Sequence, residues 1–209
     1  MPKIGPFESH AQEYEQWFED HLSIYLSEVL AIKSISPVGN KPVELGIGSG
    51  RFALPLQIYE GIEPAGKMRK IAAERGITAT DGVAEALPYD DQSKDYVLLV
   101  TTICFVDDID RTFSEIYRIL EPGGILIIGF IDSKSSLGQQ YLVRQHESIF
   151  YRNAVFYSTD DVYQLLQKHG FIIDKTYQTI FGTLDSVTNV QEPLEGYGEG
   201  SFVVIKGVK

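Results

Sequence analysis

The stretch that most constrains the fold of this chain is a short apolar segment that contains an acid and continues into three alternating glycines. It runs from Val43 to Gly50 and reads Val-Glu-Leu-Gly-Ile-Gly-Ser-Gly. Glycine suits positions where the chain turns with positive φ, or where a Cβ would stand between the backbone and a ligand. The segment therefore predicts a strand followed by a loop that binds a nucleotide-type cofactor.

A second acid at a strand end supports this prediction. Glu63 follows the apolar pair Gly61-Ile62, at about the distance where a nucleotide-binding fold places its ribose-binding acid. The glycine spacing then separates two classes of cofactor. A dinucleotide fingerprint reads G-x-G-x-x-G, whereas here Gly50 comes one residue early and Arg51 occupies the third fingerprint position. A phosphate-binding P-loop is excluded, because no Gly-Lys-Ser/Thr follows the glycines.

Five segments, in the order that the family requires, resemble motifs of the class I S-adenosylmethionine-dependent methyltransferases, in particular the small-molecule group of methyltransferase type 11. Together they cover roughly Lys41 to Gly129. The segments are the glycine loop from Glu44 to Gly50, the acid-Pro segment from Glu63 to Met68, the loop from Gly82 to Pro88, the strand from Asp95 to Val100, and the turn from Arg118 to Gly124. The resemblance implies S-adenosylmethionine as the cofactor.

The resemblance also implies which residues hold the cofactor. Glu63 takes both ribose hydroxyls and Met68 packs near the adenine. Val83 replaces the family's usual aspartate, so backbone groups at Val83 and Ala84 are expected to hold the base, with Asp81 as a substitute acceptor. The predicted cofactor-binding residues are Glu44, Gly46, Gly48, Gly50, Glu63, Met68, Val83, Ala84 and Thr101.

Apolar strands that alternate with amphipathic helices predict an α/β fold with a doubly wound, mostly parallel sheet. The resemblance adds that the sheet is Rossmann-like and seven-stranded, that its last strand is antiparallel, and that an N-terminal helical lid covers it. We expect one methyltransferase domain over residues 1–209. Its parts are an N-terminal helical cap at 1–40, a cofactor-binding core at 41–130, a helical insertion at 131–157, and a C-terminal helix and strands at 158–209.

Three local predictions complete the expected fold. Apolar residues at helical spacing from Tyr14 to Leu30 predict one N-terminal amphipathic helix. A short helix is expected from Arg51 until the second strand begins near Ile58. The stretch from Asp185 to Gly200 is rich in glycine, glutamate and proline, which predicts the most flexible part of the chain.

Four residues are candidates for contact with the methyl acceptor, and none is assigned as catalytic. Tyr14 and Trp17 carry aromatic rings that either pack in the core or cover the cofactor's sulfonium. His21, on the same predicted helix, is a candidate general base. Cys104 lies after the fourth strand, where many similar methyltransferases carry a histidine; a buried free cysteine more often behaves as a small apolar side chain.

The resemblance leaves the acceptor open. Some proteins that share the segments TTICFVDD and EGYGEG are described as histamine N-methyltransferases, and many with similar motifs C-methylate quinones. Methyl transfer from a sulfonium requires alignment and exclusion of water more than an acid or base, so we predict a small-molecule methyltransferase. The alternatives are a non-catalytic sensor or scaffold that binds S-adenosylmethionine, and a nicotinamide oxidoreductase on the same fold.

The charge balance argues against nucleic acid as a partner. The chain has 18 Lys and Arg against 29 Asp and Glu, a net charge of -11, and it contains no basic run. The single cysteine cannot form an internal disulfide, which suits a reducing cytoplasm. No signal segment, membrane span or metal-type Cys/His spacing is found, so we expect a cytoplasmic protein without a metal, as a monomer or homodimer.

Overall fold

The structure, a computed structural model, describes residues 3–209 and is organised around one mixed sheet. The strands are β1 (Pro42–Leu45), β2 (Glu60–Ile62), β3 (Thr78–Thr80), β4 (Lys94–Val100), β5 (Leu120–Ile131), β6 (Ile172–Thr179), β7 (Leu194–Glu195) and β8 (Phe202–Val208). Within the described residues these eight strands pair in the order β3-β2-β1-β4-β5-β8-β6-β7. β1 to β5 are parallel, and β8 lies antiparallel between β5 and β6. The predicted Rossmann-like sheet is thereby confirmed.

The strand beyond the predicted seven is β7, which consists of two residues at the edge of the sheet. It pairs antiparallel with Tyr177 and Gln178 of β6. β7 lies inside the stretch that was predicted to be flexible. Both of its residues are exposed at the edge of the sheet, so its sequence lacks the alternation of apolar and polar residues that predicts a strand.

Helices cover both faces of the sheet, as buried parallel strands require. They are α1 (Gly5–Ser9), α2 (Ala11–Asp20), α3 (Leu22–Ile35), α4 (Gly66–Glu74), α5 (Ile109–Ile119), α6 (Ser136–Val143) and α7 (Thr159–Lys168). Successive side chains of β4 pack alternately on the two faces of the sheet. Leu98 and Val100 pack in the cluster that contains side chains of α2 and α3, whereas Val97 and Leu99 pack with side chains of α5 and α7.

The N-terminal helix is interrupted, which the apolar spacing from Tyr14 to Leu30 did not predict. α2 ends and α3 begins around His21, which has φ −119° and ψ 41°. The Nδ1 atom of His21 lies 3.0 Å from the carbonyl oxygen of Trp17, and the His21 backbone N–H donates to the same oxygen. The side chain thus competes for a helical acceptor, and the prediction of one continuous helix is wrong.

The helix predicted between Arg51 and Ile58 is also wrong. Only a 3-10 turn from Leu54 to Leu56 forms there, followed by Gln57 in the left-handed region with φ 59°. Pro55 lies inside this turn and lacks the N–H that a longer helix would need. The second strand accordingly begins at Glu60, two residues later than expected.

Two helices begin at residues whose side chains cap them. Asp108 caps α5 by accepting a hydrogen bond from the Arg111 backbone N–H at 3.0 Å. Ser158 and Asp161 form a reciprocal capping box at the start of α7. Between β5 and α7 the chain forms α6 and a 3-10 turn, in the region predicted as a helical insertion. Among residues 3–209, no helix has the length and apolarity needed to cross a membrane.

Candidate active site

A cavity of about 450 Å³ lies over the carboxyl ends of β1, β2 and β4. One part of its wall comes from the glycine loop, from Glu63 and from the segment around Val83. The opposite part comes from α2, α3, α6 and the segment that follows α6. In an open α/β sheet this edge is where ligands bind, so the cavity is the candidate active site.

The three glycines of the loop have different surroundings, although all have positive φ. A Cβ on Gly46 would overlap the side chain of Thr102, and one on Gly50 would overlap Ile77. A Cβ on Gly48 would meet only Met68 Cε at 3.7 Å and the Tyr14 hydroxyl at 3.8 Å. Gly48 therefore borders open space, whereas Gly50 lies outside the cavity wall and is required by packing.

Glu63 connects the end of β2 to the glycine loop that follows β1. Its Oε2 accepts a hydrogen bond from the Gly48 N–H at 2.9 Å, and its Oε1 accepts one from the Ala65 N–H at 2.7 Å. The side chain lines the cavity and is mostly buried. Burial raises the pKa of Glu63, while the two backbone hydrogen bonds oppose that rise. A carboxylate can accept further hydrogen bonds, so Glu63 retains capacity for a ligand's hydroxyls.

Glu44 lies at the end of β1 and is fully buried, without reaching the cavity wall. Its Oε2 has no hydrogen-bond partner among the described residues. Burial raises the pKa of Glu44 well above its ordinary value, and the negative charge of Glu63 adds to the rise. A buried, unpaired carboxyl oxygen is stabilised by a positive charge or a hydrogen-bond donor, and the described residues supply neither to Glu44 Oε2.

The remaining predicted cofactor residues lie on the cavity wall. Met68, Val83, Ala84 and Thr101 all line it. Asp81 does not: its side chain is 72% exposed and forms an ion pair with Arg69 at 2.9 Å. The geometry thus leaves the backbone around Val83 and Ala84, and not Asp81, beside the cavity.

The four acceptor-side candidates separate into two groups. Tyr14 and Trp17 line the cavity. His21 stacks on Trp17 with ring centroids 4.7 Å apart and lies outside the wall. Cys104 faces a separate small cavity of about 20 Å³, and its thiol donates to the Thr101 carbonyl at 3.3 Å. Burial raises the pKa of Cys104 to about 12, so at neutral pH the group is an unreactive thiol.

The cavity also contains an acid that the sequence reasoning missed. Glu28 on α3 lines it and is 5% exposed. Ile24 and Ile32, one helical turn to either side, are buried. An acid in line with buried apolar residues at i−4 and i+4 was the available signal, because those positions share one helix face.

Comparison with known proteins identifies the family. Residues 43–128 match the family model described as a methyltransferase domain. A crystal structure from Thermotoga maritima, described as an S-adenosylmethionine-dependent methyltransferase and possible histamine N-methyltransferase, superposes with a TM-score of 0.96. The two sequences are 47% identical, and the alignment covers 99% of each chain. The chain belongs to the S-adenosylmethionine-dependent methyltransferases.

Two further members of this family illustrate its range. An uncharacterised protein of Methanocaldococcus jannaschii is 40% identical over 206 residues, which is 99% of this chain and 100% of the relative. The malonyl-[acyl-carrier protein] O-methyltransferase of Methylococcus capsulatus is 27% identical, over 69% of this chain and 56% of the relative. Because the chain belongs to this family, the alternative of a nicotinamide oxidoreductase is discarded. The predicted cofactor, S-adenosylmethionine, is confirmed.

The observed site fits this cofactor. S-adenosylmethionine carries a ribose, an adenine and two cationic groups, the sulfonium and the ammonium. The space beside Gly48 admits a ligand, and Glu63 has capacity to accept hydrogen bonds. Met68, Val83 and Ala84 line the same cavity and leave room for an adenine beside Glu63.

Proposed function

We propose that this methyltransferase transfers the methyl group of S-adenosylmethionine to a small-molecule acceptor that enters the same cavity. The observation that carries the proposal is the extent of the cavity. It runs without interruption from the glycine loop at Gly48 to α3 at Glu28 and α6 at Tyr141. Its volume of about 450 Å³ is in the range typical of small-molecule sites.

The proposed roles follow from the positions of the side chains. Glu63 binds the ribose hydroxyls through charge-assisted hydrogen bonds, and its contact with the Gly48 N–H positions the glycine loop for the ligand. Met68, Val83 and Ala84 surround the adenine. When bound, S-adenosylmethionine supplies a methyl group already activated for in-line displacement.

The remaining task of the protein is to align the acceptor and to keep water out. Tyr14 and Trp17 on α2 cover the cavity from the N-terminal side. Phe150 packs against Tyr14 with ring centroids 5.9 Å apart and extends the apolar wall. No general base is required for an acceptor that is nucleophilic by itself, and neither His21 nor Cys104 reaches the wall of this cavity.

A sensor that binds S-adenosylmethionine without catalysis is the second candidate. Such a protein needs no room beyond its ligand, whereas the cavity continues past the cofactor side to α3 and α6. This extension favours an enzyme. The functions described for the similar proteins differ, since the Thermotoga maritima protein is a possible N-methyltransferase and the Methylococcus capsulatus protein is an O-methyltransferase. We therefore infer the class of acceptor from the side chains that line this cavity.

The experiment measures binding and turnover separately. Calorimetry with S-adenosylmethionine reports binding, and release of S-adenosylhomocysteine across a panel of small amines, phenols, thiols and quinols reports transfer. We expect saturable binding together with release that depends on an acceptor. Binding without release for any acceptor class would support the sensor, and absence of binding would contradict both functions.

A further inference from the structure

Glu28 is a buried acid that the protein leaves unpaired. It lies in the middle of α3, and its side chain is 5% exposed and reaches the main cavity. Among residues 3–209, no side chain or backbone group donates a hydrogen bond to its carboxyl, and no cation forms an ion pair with it. The basic residues of the cavity wall are engaged elsewhere: Lys3 contacts the Val106 carbonyl, and Arg111 donates to the Glu85 carbonyl.

Burial alone accounts for the electrostatic state of this acid. It raises the pKa of Glu28 to about 8, with no contribution from a neighbouring charge. An unpaired carboxyl in such a position lowers the stability of the folded protein. Side chains that destabilise the free protein in this way are typical of binding and catalytic sites, where a ligand completes their contacts.

Three tyrosines face the same space. Tyr14, Tyr141 and Tyr151 line the cavity; burial raises the pKa of each, and the charge of Glu28 adds to the rise. None of the three hydroxyls forms a hydrogen bond within the described residues. Tyr141 and Tyr151 stack with ring centroids 5.2 Å apart. One acid and three tyrosines therefore line the same cavity, and the acid is near enough to each tyrosine for its charge to act on the hydroxyl.

The chemistry of this wall selects among possible ligands. An anionic group would be repelled by the ionised form of Glu28, and among the described residues no cation pairs with this carboxyl. A protonated amine would gain a charge-assisted hydrogen bond from the carboxylate, hydrogen bonds to the hydroxyls, and attraction to the aromatic faces. Its charge would also favour the ionised form of Glu28, which removes the penalty of the unpaired acid.

We propose that the acceptor is a small amine that enters as the ammonium, with its nitrogen bound by Glu28 and flanked by Tyr141 and Tyr151. For transfer, the Glu28 carboxylate takes the ammonium proton, and the freed lone pair attacks the methyl carbon while the bond to sulfur breaks and S-adenosylhomocysteine leaves. This assignment rests on the proposed function, because it assumes that the acceptor binds at the α3 side of the cavity and the cofactor at the glycine loop. Glu28 is then the residue that determines specificity, since it distinguishes an amine from a neutral molecule of the same shape.

The test compares each amine with its alcohol counterpart. Phenylethylamine with phenylethanol, and histamine with the corresponding imidazole alcohol, are titrated into protein saturated with S-adenosylhomocysteine. We expect at least one amine to bind at least about tenfold more tightly than its alcohol, as expected for one hydrogen bond to a charged group. Glu28→Gln should abolish that preference and leave the affinity for S-adenosylhomocysteine unchanged. Glu74→Gln, an exposed glutamate on α4, is the matched control and should retain the preference.

Three results would overturn the amine assignment. They are equal binding of amines and alcohols by the wild-type protein, no amine binding at millimolar concentration, and an undiminished amine preference in Glu28→Gln. The comparison in the wild-type protein decides the question even when the variant fails to fold. Turnover of a non-amine acceptor would overturn the amine assignment alone, whereas failure to bind S-adenosylmethionine would overturn the proposed function itself.

Discussion

At the scale of single residues, three buried acids differ in the hydrogen bonds that they receive; two of them line the cavity, and Glu44 lies outside its wall. Glu63 receives two backbone hydrogen bonds, Glu44 has an unpaired oxygen, and Glu28 has no partner at all among the described residues. Burial raises the pKa of all three. Glu28 and Glu63, which line the cavity, should therefore become better stabilised when a cationic or hydroxyl-bearing ligand is bound.

The cost of Glu28 should be visible in the pH dependence of stability. Its pKa rises from an ordinary value of 4.5 to about 8 on folding, so the folded state holds a proton that the unfolded state has released. The penalty is absent below about pH 4.5, grows as the pH rises, and is complete above about pH 8. Relative to wild type, Glu28→Gln should gain stability across this window, by up to a few kcal/mol, since one pKa unit is about 1.4 kcal/mol. Denaturant unfolding at several pH values measures the difference in unfolding free energy between Glu28→Gln and wild type. A difference that does not change with pH would contradict a buried, unpaired carboxyl at this position.

Replacing Glu63 should weaken cofactor binding more than folding. Glu63→Ala removes the hydrogen bonds that we propose to the ribose, and it leaves the Gly48 N–H without its acceptor. Loss of hydrogen bonds to a charged acceptor should cost about 1.5–3 kcal/mol of binding free energy. Calorimetry with S-adenosylhomocysteine measures this loss, with circular dichroism as the check on folding. A folded variant with wild-type affinity would exclude Glu63 from the ribose site.

The two cavity glycines should respond differently, although the motif alone predicts a blocked ligand site and an intact fold for both. In Gly46→Ala the new Cβ overlaps Thr102, so folding stability should fall together with affinity. In Gly48→Ala the Cβ enters the cavity, and the strain of its positive φ should cost only roughly 1–2 kcal/mol. Thermal unfolding and calorimetry on the two variants separate these effects. Equal loss of stability in both would mean that Gly48 is also required by packing.

At the scale of elements, α2 is held against the glycine loop by ion pairs. Glu15 accepts hydrogen bonds from Arg51 at 2.9 Å and from Arg75, and Arg75 also donates to the Ser49 carbonyl at 2.8 Å. Arg51, at the third dinucleotide-fingerprint position, thus anchors the N-terminal helices. Although burial opposes it, the hydrogen bonds from Arg75 and Arg51 keep the pKa of Glu15 below its ordinary value.

Removing the charge of Glu15 should make α2, which covers the cavity, more mobile. In Glu15→Gln, both arginines lose a charged partner, so amide exchange over residues 11–20 should become faster than in wild type. Because Tyr14 and Trp17 lie on α2, turnover should fall more than cofactor affinity does. Exchange mass spectrometry and steady-state kinetics test this, with Glu74→Gln as the control. Unchanged exchange in Glu15→Gln would mean that apolar packing alone holds the helix.

The elements that the sequence predicted well are those set by local patterns. β1 is the clearest case, because its apolar residues lead directly into the glycine loop. The break at His21 was not predicted, because the apolar spacing continues across it without a glycine or proline. Glu28 was missed for a related reason: the apolar pattern of α3 identifies a buried face but not which part of that face opens into a cavity.

At the scale of the whole molecule, the net charge of -11 bears on which ligands approach. A negative protein attracts cations over a distance comparable to the Debye length, and salt screens this attraction. S-adenosylmethionine carries a sulfonium charge that S-adenosylhomocysteine lacks. We expect added salt to slow association of S-adenosylmethionine more than that of S-adenosylhomocysteine, as measured by stopped-flow fluorescence of Trp17. The same salt dependence for both ligands would contradict a role of the overall field.

The central claim is transfer of a methyl group from S-adenosylmethionine to a small molecule in this cavity. The most direct measurement uses S-adenosylmethionine labelled with CD3, the small-molecule acceptor panel, and mass spectrometry of both products. Our account predicts that a small molecule acquires the CD3 group in amounts equal to the S-adenosylhomocysteine released, and that Glu63→Ala greatly reduces both at limiting cofactor. Saturable binding of S-adenosylmethionine with no label leaving it, for every acceptor class in the panel, would contradict the claim.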